Sequence, residues 1–320
     1  MITDILLLIA GLLMVVFGAD FLVDGASAIA RKAGISEFVI GLTIVGFGTS
    51  CPELVVSVTG ALEGNSDVSI GNVVGSNIFN SMLILGLTAV LAPIAITSEN
   101  KKRDIPLTIG VTLLLALLGM KSTLFGVGTD GLSRVEGIVF LLLFAGYIFL
   151  CFKFDDGSAQ QPSADEKKPM GIPKALIAVA GGLAGLIFGG EFFVDSATSL
   201  ARHIGVSDKF IAITLLAGGT SLPELATCVV AAAKKKGQLA LGNILGSNVF
   251  NILLILGTSA VIHPLSLSSM NMVDMGVLLL SALLIFTACY TGKKNVLDRF
   301  DGAILLLCEA AYMVWLVLSI

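Results

Sequence analysis

The sequence predicts an all-α integral membrane protein whose ten transmembrane helices form two inverted-topology five-helix repeats. Three observations carry that prediction: an apolar composition, a lopsided distribution of basic residues between alternate loops, and a long internal duplication. Of the 320 residues, 56% are hydrophobic and 13% charged, with a mean hydropathy of +0.98; a water-soluble domain carries about 25% charged residues. Nineteen basic and twenty-three acidic side chains could not cover a globule of this size with polar surface, which argues against the soluble enzyme classes. The net charge of -4, a pI near 5.2 and the lack of any basic stripe argue against a nucleic-acid partner. Cys51, Cys151, Cys228, Cys289 and Cys308 all fall in or beside apolar runs without Cys-x-x-Cys spacing, so neither a disulfide framework nor a zinc site is expected.

Windows of about 20 apolar residues mark the spans in order. The first, Asp4 to Val23, follows Met-Ile-Thr-Asp with no basic n-region, so it reads as a span and not as a cleaved signal peptide. Phe38 to Leu62, Val68 to Ala92, Ile105 to Met120 and Gly137 to Phe152 complete the first half. After a polar break come Pro173 to Val194, Phe210 to Ala233, Leu239 to His263, Met275 to Tyr290 and Gly302 to Ile320. The chain therefore divides into a first repeat, 1–152, a cytoplasmic linker, 153–172, and a second repeat, 173–320. In the linker, Asp155, Asp156, Asp165 and Glu166 alternate with Gly, Ser, Gln and Pro and read as a flexible connection.

Lys and Arg are retained on the cytoplasmic side. With the N-terminus outside, fifteen basic residues fall in inside loops, among them Arg31, Lys32, Lys101 to Arg103, and Lys234 to Lys236 as a topology anchor, against Lys121, Arg134, Arg202 and Lys209 outside. One missed span would scramble every loop beyond it, so the split supports both the ten-span count and its direction. A multi-pass protein of the plasma or inner membrane with both termini extracytoplasmic is expected.

The duplication runs at an offset of 171. Phe17-Gly18 aligns with Phe188-Gly189, Val23-Asp24 with Val194-Asp195, and Gly48-Thr49-Ser50 with Gly219-Thr220-Ser221; 27 of 64 positions from Phe17 to Asn80 are identical to Phe188 to Asn251. The last spans match at an offset of 165, Arg134 with Arg299 and Tyr147 with Tyr312. Five spans per half is odd, so the second half enters from the opposite side and the halves are related by an axis in the membrane plane.

Glu53 and Glu224 fall near the middle of spans two and seven with no Lys or Arg in either span's core. An ionised carboxylate there costs a few kcal/mol even on the gentlest insertion scale, about 2.5–3.5. Protons, neutral dipoles or a bound cation must compensate, and the bland reading is a pair of protonated structural glutamates. Pro52 and Pro223 precede them and free the carbonyls of Gly48 and Gly219, which suit a hard cation; an ordinary kink explains the proline alone. Spans three and eight add Gly71-Asn72-x-x-Gly75-Ser76-Asn77-x-x-Asn80 and its copy from Gly242 to Asn251. Gly71 and Gly75 allow close helix approach, and Ser76 and Asn80 share a stripe, as do Ser247 and Asn251. Polar helix glue is the plain alternative, but two copies beside two glutamates compose an all-oxygen cage suited to Ca2+ or Na+.

These motifs resemble those of the Ca2+/cation antiporter superfamily, with its paired G-T-S-x-P-E and G-x-x-x-G-S-N-x-x-N signatures at 43–80 and 214–251, and within it the sodium/calcium exchanger branch of prokaryotic type. The resemblance implies Ca2+ extrusion driven by inward Na+, through alternating access at a midplane site, with no enzyme activity, no cofactor and no obligatory protein partner. It implies that Glu53 and Glu224 are the main Ca2+ ligands, assisted by backbone oxygens of Thr49 and Thr220. By the same resemblance Ser50, Ser76, Asn80, Ser221, Ser247 and Asn251 complete, with the two glutamates, the Na+ sites. It also implies that spans one and six slide over a rigid core; Gly11, Gly18, Gly182 and Gly189 fit sliding and close packing equally well. Asn rather than Asp at 251 favours independence from K+, and Cys51, which is Leu222 in the other copy, reads as packing.

Other residues are set aside. Glu309 in span ten corresponds to Phe144 in the other repeat, where no acid stands, and reads as a structural or lipid-interface acid. Asp20, Asp24, Glu191 and Asp195 read as solvation of the ends of spans one and six, and His203 and His263 lack partner clusters. Ca2+/H+ exchange is the nearest alternative, since buried carboxylates can carry protons. A cation channel would be expected to show a continuous polar lining, and an intramembrane protease lacks its motif here.

Overall fold

In the computed structural model, which describes residues 1–155, 170–205, 217–267, 270–291 and 295–319, nearly all of the backbone is helical. α1 (Ile2–Ala33) ends at Gly34, whose φ of 68° is the left-handed cap that glycine adopts freely. Its 32 residues cover about 48 Å at 1.5 Å each, so α1 outruns the predicted Asp4 to Val23. A hydropathy window stops at Asp20 and Asp24, yet the helix continues with Leu22, Ala26 and Ala30 as one buried stripe.

The second predicted span is a broken helix. α2 (Glu37–Ile40), a π-helical turn π1 (Gly41–Val45) and α3 (Gly46–Thr49) run into α4 (Cys51–Leu62) across a 48° bend. α5 (Ser66–Phe79), π2 (Asn80–Ile84) and α6 (Leu85–Leu91) make one continuous helix. Beyond strand β1 (Ile94–Ala95) come π3 (Asn100–Asp104), α7 (Ile105–Gly119), α8 (Lys121–Phe125), β2 (Gly131–Leu132) and α9 (Arg134–Lys153), the last begun by a Ser133/Glu136 capping box.

The remaining elements are α10 (Ile172–His203), α11 (Ala217–Gly219), α12 (Leu222–Ala233), α13 (Gly237–Val249), π4 (Phe250–Leu256) and α14 (Gly257–Ile262). They are followed by β3 (Leu265–Ser266), α15 (Met272–Ala288), β4 (Val296–Leu297) and α16 (Arg299–Ser319). The start of the predicted span Phe210 to Ala233, most of the linker with Asp156, Asp165 and Glu166, Lys209 and Ile320 lie outside the described residues.

Among the described residues, six helices are long and apolar enough to cross a membrane, and the bent pair Glu37–Thr49 with Cys51–Leu62 adds a seventh if counted as one span. α12 and α15 are shorter apolar helices. Burial sorts these helices into two layers. The Gly237–Ile262 helix is 94% buried and Ser66–Leu91 72%, whereas α1, α9, α10 and α16 are 17–28% buried and present apolar side chains such as Leu6, Phe17, Phe149 and Leu318 outward. The helices that carry the repeated Gly-Asn motifs are therefore the protein's interior, and the outer helices, which expose many apolar side chains, form its coat.

Close backbone crossings hold the two layers. A Cβ on Gly242 would stand 2.1 Å from the Phe38 carbonyl oxygen and one on Gly246 2.2 Å from that of Leu42, so α13 lies directly on α2 and π1. The repeat counterparts of Phe38 and Leu42, at 209 and 213, lie outside the described residues. α1 and α10 meet along a seam where a Cβ on Gly11 would reach 2.7 Å from the Gly189 oxygen and one on Gly18 2.8 Å from the Gly182 oxygen. Two short antiparallel ladders clip the loops: Ile94 opposite Leu297, and Gly131 opposite Ser266.

Candidate cation site between two helix breaks

Two helix breaks build the centre. Ser50 leaves helical dihedrals (φ -83°, ψ 7°) just before Cys51 and Pro52 start α4, and Ser221 does the same (φ -87°, ψ 6°) before Leu222 and Pro223 start α12. Proline at a helix start forfeits an N–H that has no intrahelical acceptor anyway, so each proline sets where the new helix begins. The glutamate that follows stands in the first turn, at the positive end of the helix dipole. Irregular backbone at this depth is tolerated because it is enclosed by protein.

Glu53 and Glu224 are fully buried, and each is braced from both halves of the chain. Ser221 Oγ donates to Glu53 Oε1 at 3.1 Å and Ser76 Oγ to the same oxygen at 3.4 Å. Reciprocally, Ser50 Oγ donates to Glu224 Oε1 at 3.0 Å and Ser247 Oγ at 3.3 Å. The second oxygens, Glu53 Oε2 and Glu224 Oε2, are buried without a donor among the described residues.

The asparagines repeat the pattern. Asn80 Nδ2 donates to Asn248 Oδ1 at 3.3 Å and Asn251 Nδ2 to Asn77 Oδ1 at 2.9 Å, while Asn80 Oδ1 and Asn251 Oδ1 are buried and unpartnered. Each serine hydroxyl and each of these amide nitrogens is engaged in bracing, and four oxygen acceptors are left over. An unsatisfied buried polar group costs about 1–3 kcal/mol, and a cation is the partner that satisfies acceptors alone. Among the described residues no group of three or more His, Cys, Asp or Glu could hold a metal, so the donor set is oxygen with two carboxylates, the chemistry of hard cations.

Thr49 and Thr220 flank the serines. Thr49 Oγ1 lies 3.1 Å from two acceptors that share its one proton, the Val45 carbonyl and Asn243 Oδ1, and Thr220 Oγ1 donates to Asn72 Oδ1 at 3.4 Å. Their hydroxyl protons thus tie one half to the other. The structure gathers all ten expected site residues around the two breaks. It also adds a bracing set that the sequence reading left unassigned: Asn72, Asn77, Asn243 and Asn248, with Ser57 and Ser81. Asn72 Nδ2 donates to the Glu53 carbonyl at 3.1 Å and to Ser57 Oγ at 2.9 Å, and Asn248 Nδ2 to Ser81 Oγ at 2.8 Å. Duplication of Asn72 and Asn77 as Asn243 and Asn248 was the available signal. Asn80 opens π2 and Asn251 lies in π4; such turns re-register a helix and cluster at functional positions.

Several residues set aside are now placed. Asp20 and Asp24 are not merely solvated: Lys234 Nζ lies 2.7 Å from an oxygen of each. Lys234 is accordingly more than a topology anchor. Glu309 is 3% exposed with Oε2 unpartnered, so it does not face lipid. His203 Nδ1 meets the Ser199 carbonyl at 2.7 Å, with no ligand cluster among the described residues, and all five cysteines are free.

The sodium/calcium exchanger protein family matches this chain over residues 3–153 and 174–320. The chain belongs to that family. Its similarity to individual exchangers is spread along the whole length: the sodium/calcium exchanger MaX1 of Methanosarcina acetivorans is 33% identical over 344 residues, with 97% of each chain covered. The inner membrane protein YrbG of Escherichia coli is 35% identical over 320 residues, covering 97% of this chain and 94% of YrbG. A solved structure of the sodium-calcium exchanger NCX_Mj, soaked with 2.5 mM Na+ and 0.1 mM Ca2+, shares 32% identity and a TM-score of 0.84 across 98% of both chains. As an exchanger-family protein it is a membrane antiporter of the cation/Ca2+ class.

Proposed function

We propose that this antiporter exchanges Na+ for Ca2+ by alternating access at the oxygen cage between the helix breaks. Glu53 and Glu224, assisted by Thr49 and Thr220, hold Ca2+; Ser50, Ser76, Asn80, Ser221, Ser247 and Asn251 join the two glutamates in holding Na+. In this reading the two ions are transported substrates and no resident cofactor or partner protein is needed. The chain spans the cell membrane ten times, as repeats 1–152 and 173–320 of inverted topology joined by a cytoplasmic linker, with both termini extracytoplasmic.

The observation that carries the proposal is the set of four buried, donorless oxygens on Glu53, Glu224, Asn80 and Asn251. Two are carboxylate oxygens, so one Ca2+ neutralises the pair, whereas Na+ ions do so one charge at a time. Two are amide oxygens, which coordinate a metal ion but do not take up a proton near neutral pH; this favours Na+ over H+ as the coupling ion. MaX1 and NCX_Mj are named sodium/calcium exchangers, which supports the same choice.

The test is uptake of radiolabelled Ca2+ into proteoliposomes under an outward Na+ gradient or an outward proton gradient, with the wild type and Glu53→Gln. Uptake driven by Na+ and lost in Glu53→Gln is expected. Uptake driven only by protons would assign the chain to Ca2+/H+ exchange and remove the Na+ role of Asn80 and Asn251.

A further inference from the structure

The turns that follow the two helices bearing the glutamates are built alike. After α4, Glu63 N–H donates to the Thr59 carbonyl, Gly64 stands at φ 71° and Asn65 N–H reaches back to Gly60. After α12, Lys234 N–H donates to Val230, Lys235 stands at φ 59° and Lys236 N–H reaches back to Ala231. Each pair of positions is 171 apart, so one backbone turn recurs in both halves. Its charge does not recur: Glu63-Gly64-Asn65 in one copy is Lys234-Lys235-Lys236 in the other.

The helices these turns could meet carry matching acids. Asp20 and Asp24 on α1 correspond to Glu191 and Asp195 on α10. In the structure Lys234 Nζ lies 2.7 Å from Asp20 Oδ1, 2.7 Å from Asp24 Oδ1 and 3.2 Å from the Asp20 carbonyl oxygen. Lys236 adds weaker contacts at 4.0 Å to Asp24 and to Glu37 at the start of α2. Asp20 and Asp24 are one helical turn apart, on one face, so a single ammonium closes on both. Were the second turn to approach α10 in the same manner, Glu63 would meet Glu191 and Asp195, acid against acids.

We infer that Lys234 is a positioning residue for exchange: its clasp on Asp20 and Asp24 holds α1 against the α12–α13 turn and makes the two access states unequal. α1 and α10 are joined to each other by a backbone-close glycine seam and are mostly exposed outward, so they form a unit distinct from the buried helices. When that unit is drawn to the Lys234 turn, the clasp forms; when it is drawn to the Glu63 turn, like charges oppose. The equilibrium therefore favours the arrangement in this structure, with the Lys234 side closed.

The inference rests on the exchange reading above, and its test separates the two. Apparent KM for Ca2+ is measured at each face in right-side-out and everted vesicles under a Na+ gradient. An affinity seen from one face scales with the fraction of protein open to it. Lys234→Ala is expected to tighten Ca2+ at the face carrying Lys234 and weaken it at the other, changing the ratio about fivefold, the lower end of measured site couplings. Lys234→Glu should change it further, Lys234→Arg should retain the wild-type ratio, and Glu63→Lys, which breaks no pair seen here, should shift it in the same direction as Lys234→Ala. An exchanging Lys234→Ala or Glu63→Lys protein with the wild-type ratio would overturn the clasp. Absence of Na+-driven Ca2+ uptake in the wild type would instead overturn the exchange reading beneath it.

Discussion

Glu53 and Glu224 each accept two hydroxyl protons on one oxygen and none on the other, a geometry that holds a carboxylate still while leaving half of it open to an ion. Glu53→Gln or Glu224→Gln keeps the shape and removes one of two charges. Ca2+ uptake should fall by at least about 100-fold, since one lost charged ligand is worth about 3 kcal/mol or more, while detergent-solubilised protein stays monodisperse on size exclusion. Asn251→Ala should raise the Na+ concentration that half-inhibits Ca2+ uptake about tenfold, the equivalent of about 1.4 kcal/mol. Glu309 bears on the specificity of these effects: it is buried, and its Oε2, like Oε2 of Glu53 and Glu224, has no donor among the described residues, yet it lies on α16, outside the repeated motifs. Glu309→Gln is therefore expected to retain Na+-driven uptake.

At this scale the candidate site residues were legible in the sequence, because Gly-Thr-Ser-x-Pro-Glu occurs twice in it. It was silent about the braces. Asn72, Asn77, Asn243 and Asn248 occur in the same duplicated motif, but what each one grips is a matter of three-dimensional neighbours, such as the Glu53 carbonyl, that spacing does not disclose.

Among the elements, the broken helices and the glycine seam are the parts on which the site depends. Proline placed each break correctly to within a residue or two, since a missing N–H and a fixed φ are local properties. The π turns at Gly41–Val45, Asn80–Ile84 and Phe250–Leu256 had no local signature, because an extra residue per turn is stabilised by packing. The lengths of α1 and α10 were underestimated for a related reason: hydropathy ends where acids begin, whereas the helix ends at its cap. The seam predicts its own failure. A Cβ on Gly182 would stand 2.6 Å from the Leu22 N and 2.7 Å from the Gly18 oxygen, both backbone atoms that cannot swing away. Gly182→Val should destabilise the protein by about 1–3 kcal/mol, the usual cost of overpacking, read as a lowered thermal midpoint in detergent. Gly181→Val, at a position with open space around it, should leave the midpoint unchanged.

Across the whole molecule, the outward-facing helices present apolar side chains such as Leu6, Phe17 and Phe149, while the repeated Ser, Thr, Asn and Glu side chains are buried beside a hydrophobic core. The most buried helix, Gly237–Ile262, carries one copy of the Gly-Asn motif, while outward-facing α9 and α16 are nearly all apolar. Composition announced that apolar exterior, and the offset of 171 announced that each half supplies one glutamate. What neither could announce is the reciprocity, with Ser50 bracing Glu224 and Ser221 bracing Glu53: each carboxylate depends on the opposite half, so neither half makes a site alone. If one oxygen cage serves both ions, Na+ and Ca2+ compete for it. Calorimetric titration of the purified protein with Ca2+ at increasing Na+ reads that competition: Ca2+ binding is expected to weaken steadily as Na+ rises and to be lost in Glu53→Gln, whereas Ca2+ binding indifferent to Na+, or preserved in Glu53→Gln, would show that the two ions do not share the cage.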